Sequence, residues 1–232
     1  MLLRRWHILW DSIKCLWEIL YHVITGVWKL SKVPEPTVTV FGSSHIGKDS
    51  EYTRHARELG AKLARNGFSL ITGGGPGIME AANMGAYEIA QQCQLKEHIH
   101  DKSCKKRVVS IGIGLTRLNA EKVNPYVHKH ITMDHFFTRK WLLVRYSVGF
   151  IIFPGGFGTF DELFEIVTLQ QTDHMPRRPI VLFGSAYWKP LLNWIQESPL
   201  KDGYISAPDA QLLYLVDDID EAIRIIQHGK KH

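Results

Sequence analysis

The sequence predicts an α/β fold: a doubly wound parallel sheet with helices on both faces, preceded by an amphipathic helix. Three observations predict it. From residue 37 onward, short apolar runs alternate with longer helical patterns, the order that produces a parallel sheet covered on both sides. The runs are continuously apolar, as strands buried on both faces require. Three of them end in glycine-rich turns, at the carboxyl ends of strands where open parallel sheets bind ligands.

The chain has 232 residues and is 45% hydrophobic, enough for one sizeable core and one main domain. Residues 1–33 stand apart. Polar residues at Arg4, His7, Asp11, Lys14, Glu18, His22, Thr25, Lys29 and Lys32 recur at steps of three and four and define one helical face. The remaining surface is broad and apolar, with Trp6, Trp10, Trp17 and Trp28. Its apolar runs are too short for a membrane span, and no small-residue cleavage site follows them. Three readings stand: packing on its own domain or a partner subunit, contact with a membrane surface, or a frayed extension. Pro34 and Pro36 close the helix, so residues 34–232 form the main, doubly wound domain.

Strands are expected at 37–41 (TVTVF), 69–72 (SLIT), 108–113 (VVSIGI), 149–153 (GFIIF), 179–183 (PIVLF) and 212–216 (LLYLV). Helices are expected over about 50–66, 77–92, 135–147, 159–171, 187–197 and 218–228. The polar stretch 93–107 reads as a solvated basic loop. Its Cys93, His98, His100 and Cys104 fit no familiar zinc spacing. The formal net charge of +5 favours anionic ligands. Three cysteines are too few for a disulfide framework and suit a reducing, cytoplasmic setting, peripheral to the membrane if residues 1–33 touch it. Neither a nucleic-acid partner nor a metal is expected.

The glycine turns carry the functional signal. In VFGSSHIGKD, 40–49, Gly42, Gly47 and Lys48 mimic a phosphate-binding P-loop, but Asp49 stands where a magnesium-binding hydroxyl belongs. A short turn offering Gly42, Ser43 and Ser44 is the better reading. In ITGGGPGIMEAAN, 71–83, Gly73, Gly74 and Gly75 let backbone approach a ligand, and Gly77 opens a helix whose free N–H groups suit an anion. In FPGGFGTFDELFE, 153–165, Gly155, Gly156 and Gly158 expose N–H groups and Thr159 caps a helix. Two such loops at neighbouring strand ends suit a phosphorylated ligand of mononucleotide size. Glu162 lies one turn above Thr159. It reads equally as a group beside the sugar or as half of a Thr159–Glu162 capping box.

These stretches resemble a known family. PGGFGTFDE, 154–162, is similar to the PGGxGTxxE signature of the LONELY GUY (LOG) family, often labelled lysine decarboxylase. GGGPGIMEAAN, 73–83, and FFTRKWLLVRYS, 136–147, resemble its other two blocks, and the similarity runs through residues 37–226. The resemblance implies a Rossmann-like, flavodoxin-like sheet, a homodimer, and a phosphoribohydrolase that splits nucleoside 5′-monophosphates, including cytokinin riboside monophosphates, into base and ribose 5-phosphate. It implies Arg139 and Glu162 as the catalytic pair, with Gly155, Gly156, Gly158 and Thr159 on the phosphate and Lys140, next to Arg139, among the substrate-binding residues. It requires no cofactor. Asp161 replaces the glutamate of many members. The competing classes are a non-catalytic nucleotide sensor or carrier of the same fold and, more weakly, a phosphatase acting through Gly42–Lys48.

Overall fold

The computed structural model describes residues 2–98, 107–116 and 122–229. Its strands are β1 (Thr37–Phe41), β2 (Ser69–Thr72), β3 (Ser110–Leu115), β4 (Lys129–Met133), β5 (Ser147–Ile152), β6 (Ile180–Phe183) and β7 (Leu213–Val216). They form one sheet in the order β4-β3-β2-β1-β5-β6-β7, parallel at every pairing. Without the β4 edge, this is the 3-2-1-4-5-6 order of the dinucleotide-binding doubly wound sheet, and the order reverses between β1 and β5.

Alternation within the apolar strands supplies both faces. Val38, Val40, Leu70, Ile151, Phe153, Val181 and Phe183 face one layer, built from α2 (Glu51–Arg65), α3 (Ile78–His98) and α8 (Ile219–Gly229). Phe41, Ile71, Ile111, Phe150, Ile152, Ile180 and Leu182 face the other. That second layer draws Leu30 from α1 (Leu2–Leu30), Leu142 and Leu143 from α4 (Phe136–Arg145), Leu163 and Ile166 from α5 (Phe157–Gln171), and Trp188 from α6 (Ser185–Ile195). A π-helical turn (Gln196–Leu200) and the short α7 (Ala207–Ala210) complete the connection to β7. The α2–α3 crossing is close because a Cβ at Gly60 or Gly85 would strike the carbonyl oxygen of Ala82 or Arg57.

Four expectations change. β4 is a strand the sequence pattern did not predict: KHITM is half polar, as an edge strand tolerates. α3 continues to His98, so 93–98 is helical rather than loop; His100 and Cys104 lie outside the described residues. Cys93 packs against the core and is disulfide-bonded, whereas reduced thiols were expected; Cys15 is free. α5 begins at Phe157, two residues before Thr159. No helix among the described residues is long and apolar enough to cross a membrane.

Candidate functional site

The reversal of strand order leaves a crevice above the carboxyl ends of β1 and β5. Three strand-end loops meet there, tied through the backbone of Ser43. Its N–H donates to the Pro154 carbonyl after β5 at 3.0 Å, and its carbonyl accepts from the Ile78 N–H at the start of α3, also at 3.0 Å. Gly77 makes that second contact possible. Its φ is +68°, and a Cβ on it would meet the Ser43 carbonyl oxygen. The Phe153 N–H donates to the Phe41 carbonyl at 2.9 Å and closes the seam below.

The resulting cavity encloses about 270 Å³. Gly42 and Ser43 line one wall; Gly156, Gly158 and Thr159 line the opposite one; Arg139 and Glu162 complete it. The N-cap of α5 is Gly156, which has no side chain to bond the first-turn N–H groups. The Thr159 N–H donates to the Gly156 carbonyl at 2.9 Å, so the earlier N–H groups and the positive end of the helix dipole are what the turn offers an anion. Thr159 is the third residue of the helix and buried, not its cap. The capping-box reading of Thr159 and Glu162 falls with it.

Glu162 is 5% exposed, and its Oε2 has no hydrogen-bond partner. Burial pushes its carboxyl up to about 7; the positive charges of Arg139 and Lys140 oppose the rise, and Glu165 and Asp161 add to it. A carboxyl poised near neutrality in a cleft beside a cation is suited to acid–base and charge-stabilising work. Arg139 reaches the cavity from α4, where its Nε donates to the Ile113 carbonyl at 2.9 Å. Gly73 makes room for it, since a Cβ there would strike Nη2 of Arg139.

Four predicted residues stand elsewhere. Lys140 does not line the cavity. Its Nζ is held by Asp161 and Glu165, each at 2.9 Å, so it acts on Glu162 through charge alone. Gly74 and Gly75 lie behind the wall. The Gly74 N–H donates to Thr72 Oγ1, and the two carbonyls accept from the backbone and side chain of Asn124. Gly73 is the member of that run at the cavity. Gly155 is just outside it: its carbonyl accepts from the Tyr187 hydroxyl, and a Cβ would strike Thr159 Oγ1. Lys48, the P-loop candidate, points to Glu80 at 3.1 Å and is well exposed.

Sequence reasoning missed the apolar lining of Met79, Phe136 and Phe157 and the adjacent His45. It also missed a buried amide network. Asn83 accepts from Thr72 Oγ1 at 2.6 Å and from the Asn124 amide at 3.0 Å, and donates to Ser110 Oγ at 2.7 Å. Only its place in the GGGPGIMEAAN block hinted at a role.

A family profile described as "Possible lysine decarboxylase" matches residues 79–226, and one described as "SLOG cluster4 family" matches 35–92. A cytokinin riboside 5′-monophosphate phosphoribohydrolase of Arabidopsis thaliana is 26% identical over 190 residues, 82% of this chain and 81% of that one. A pyrimidine/purine nucleotide 5′-monophosphate nucleosidase of Escherichia coli K12 is 31% identical over 172 residues, 72% of this chain. This chain spans 35% of that protein and 40% of a bifunctional cytokinin biosynthesis protein of Fusarium pseudograminearum, to which it is 25% identical over 201 residues, 83% of this chain. Among solved structures, the molybdenum cofactor carrier protein of Chlamydomonas reinhardtii superposes with a TM-score of 0.60 at 19% identity, covering 85% of this chain and 99% of that one. At that identity the likeness is one of fold.

Proposed function

The chain belongs to the LONELY GUY (LOG) family, the group described as "Possible lysine decarboxylase", and on that premise we propose that it is a nucleoside 5′-monophosphate phosphoribohydrolase. It hydrolyses the N-glycosidic bond of AMP-like or cytokinin riboside monophosphates to free base and ribose 5-phosphate. Relatives named as nucleotide nucleosidases and phosphoribohydrolases support hydrolysis of a nucleotide at family level. The observation that carries the reading is the buried Glu162 carboxyl, its Oε2 without a hydrogen-bond partner, lining the same small cavity as the N-terminus of α5.

The two ends of the cavity suit the two ends of the substrate. Gly156, Gly158 and Thr159 offer donors to the 5′-phosphate. Breaking the glycosidic bond develops positive charge on the ribose. The Glu162 carboxylate stabilises that charge and takes a proton from the attacking water. Arg139 binds and orients the substrate and keeps Glu162 from holding its proton more tightly. Phe136 and Phe157, both exposed at the cavity, offer ring faces to a base.

The test is incubation of the full chain with a panel of nucleoside 5′-monophosphates, followed by chromatography of the products. Free base and ribose 5-phosphate are expected, and Glu162→Gln should bind nucleotide without releasing base. Free phosphate in place of base would refute the reading. Intact nucleotide with calorimetric binding would assign the chain to the carriers or sensors.

A further inference from the structure

Helix α1 turns its apolar side away from the protein. Its inner face is mixed. Gly26 and Leu30 are buried against the body, His22 Nε2 meets Asp134 Oδ2 at 2.5 Å, and Cys15 Sγ lies 4.0 Å from the ring of His135. The outer face carries Trp10, Ile13, Trp17, Leu20, Ile24 and Trp28, each between 47% and 71% exposed. At about 100° per residue these six fall within an arc of about 80°. Leu16 and Tyr21, 64% and 60% exposed, widen it to about 140° on the same count. So long an apolar strip on an exposed helix marks an interaction surface.

The charges beside the strip identify its occupant. Lys14 and Lys29 follow Tyr21 and the tryptophans around the helix, with Glu18 between them, and Lys32, just past the end of α1, places its Nζ 3.2 Å above the Trp28 ring. Residues 1–33 contain Arg4, Arg5 and these three lysines against only Asp11 and Glu18. Tryptophan and tyrosine bordering a basic edge is the arrangement of a helix lying in a lipid headgroup region. A second copy of α1 fits less well, because it would bring two basic edges together and pack bulky indoles where close helix pairs use a narrower aliphatic seam.

We propose that α1 is an interfacial helix that docks the protein on an anionic lipid bilayer, with its apolar strip among the acyl chains and its lysines at the headgroups. The inner face of α1 contacts the junction of β4 and α4, the helix that carries Arg139. The bilayer then lies along the Arg139 side of the protein. The inference rests on α1 alone and stands apart from the nucleotide chemistry.

Co-sedimentation of the full chain with vesicles tests it. The chain should pellet with vesicles of mixed phosphatidylglycerol and phosphatidylcholine. The triple variant Trp10→Ser/Trp17→Ser/Trp28→Ser, which changes only exposed residues, should stay in the supernatant. Lys14→Gln/Lys29→Gln/Lys32→Gln should bind roughly a hundredfold more weakly, about fivefold per basic residue. Failure of the wild type to pellet would overturn the proposal, as would equal pelleting of the tryptophan variant. A drop in solution mass on removing the tryptophans, with no vesicle binding by the wild type, would assign the strip to a second copy instead.

Discussion

Replacing Glu162 with glutamine keeps the volume of the side chain and removes its charge. In the folded protein, burial holds this carboxyl at about 7, against an ordinary value of 4.5. Between those values the folded state keeps a proton that the unfolded chain has released. The native state then binds more protons, so stability falls as pH rises. The separation of about 2.5 pH units, at about 1.36 kcal/mol per unit, comes to about 3 kcal/mol. Wild type loses that amount between pH 4.5 and 7 and nothing further above it. Glutamine carries no such cost. In a chain of this size 1 kcal/mol moves Tm by about 2–4 °C. Glu162→Gln should therefore melt about 6–12 °C above wild type at pH 8, with the gap closing near pH 4. Thermal melts of the ligand-free proteins by circular dichroism at pH 4, 6 and 8 provide the assay. A gap that is constant across pH, or a wild type more stable at pH 8, would mean that the carboxylate bears no burial cost. The stabilised variant should also be inactive, as expected where a catalytic group is held at the expense of the fold.

The same ionisation should appear in kinetics. The kcat/KM for base release should rise about tenfold per pH unit up to about pH 7 and then level off, and a profile flat from pH 5 to 8 would exclude Glu162 as the ionising group. Gly156 has open space around its α-carbon, whereas a Cβ at Gly155 would crowd Thr159 and come within 3.0 Å of Ser43 N. Gly156→Ala should leave Tm unchanged and weaken nucleotide binding in calorimetry, whereas Gly155→Ala should lower both. Asn83→Ala strands the buried partners of the amide network and should cost about 2–3 kcal/mol in a denaturant titration.

The family blocks and the alternation of strand and helix were legible because they rest on local pattern. TVTVF and GFIIF can be little other than buried strands, and glycine clusters after them announce close backbone approach. What was not legible depends on tertiary context. KHITM reads as strand only once β3 is there to pair with it. The start of α5 at Phe157 decides that Thr159 lies inside the helix, and no local signal separates Gly156 from Thr159 as the cap. Lys140 follows Arg139 directly, yet successive helical residues point about 100° apart, so one reaches the cavity and the other the acidic face of α5. In α1 the period separated a polar from an apolar side but could not say that the apolar side faces outward.

The hydrogen bonds through Ser43 also constrain when the site can exist. β1 pairs with β2 across a short connection, but Thr37 finds Ser147 only after the whole intervening chain has been drawn in. That closure is entropically costly and slow for a chain assembling itself. Until it happens, Pro154 is not beside Ser43, the cavity lacks one wall, and Glu162 has nothing to be buried in. On the proposed function, an incompletely assembled chain has no formed nucleotide site, and a nucleotide bound there would hold both sides of the seam and latch the finished fold.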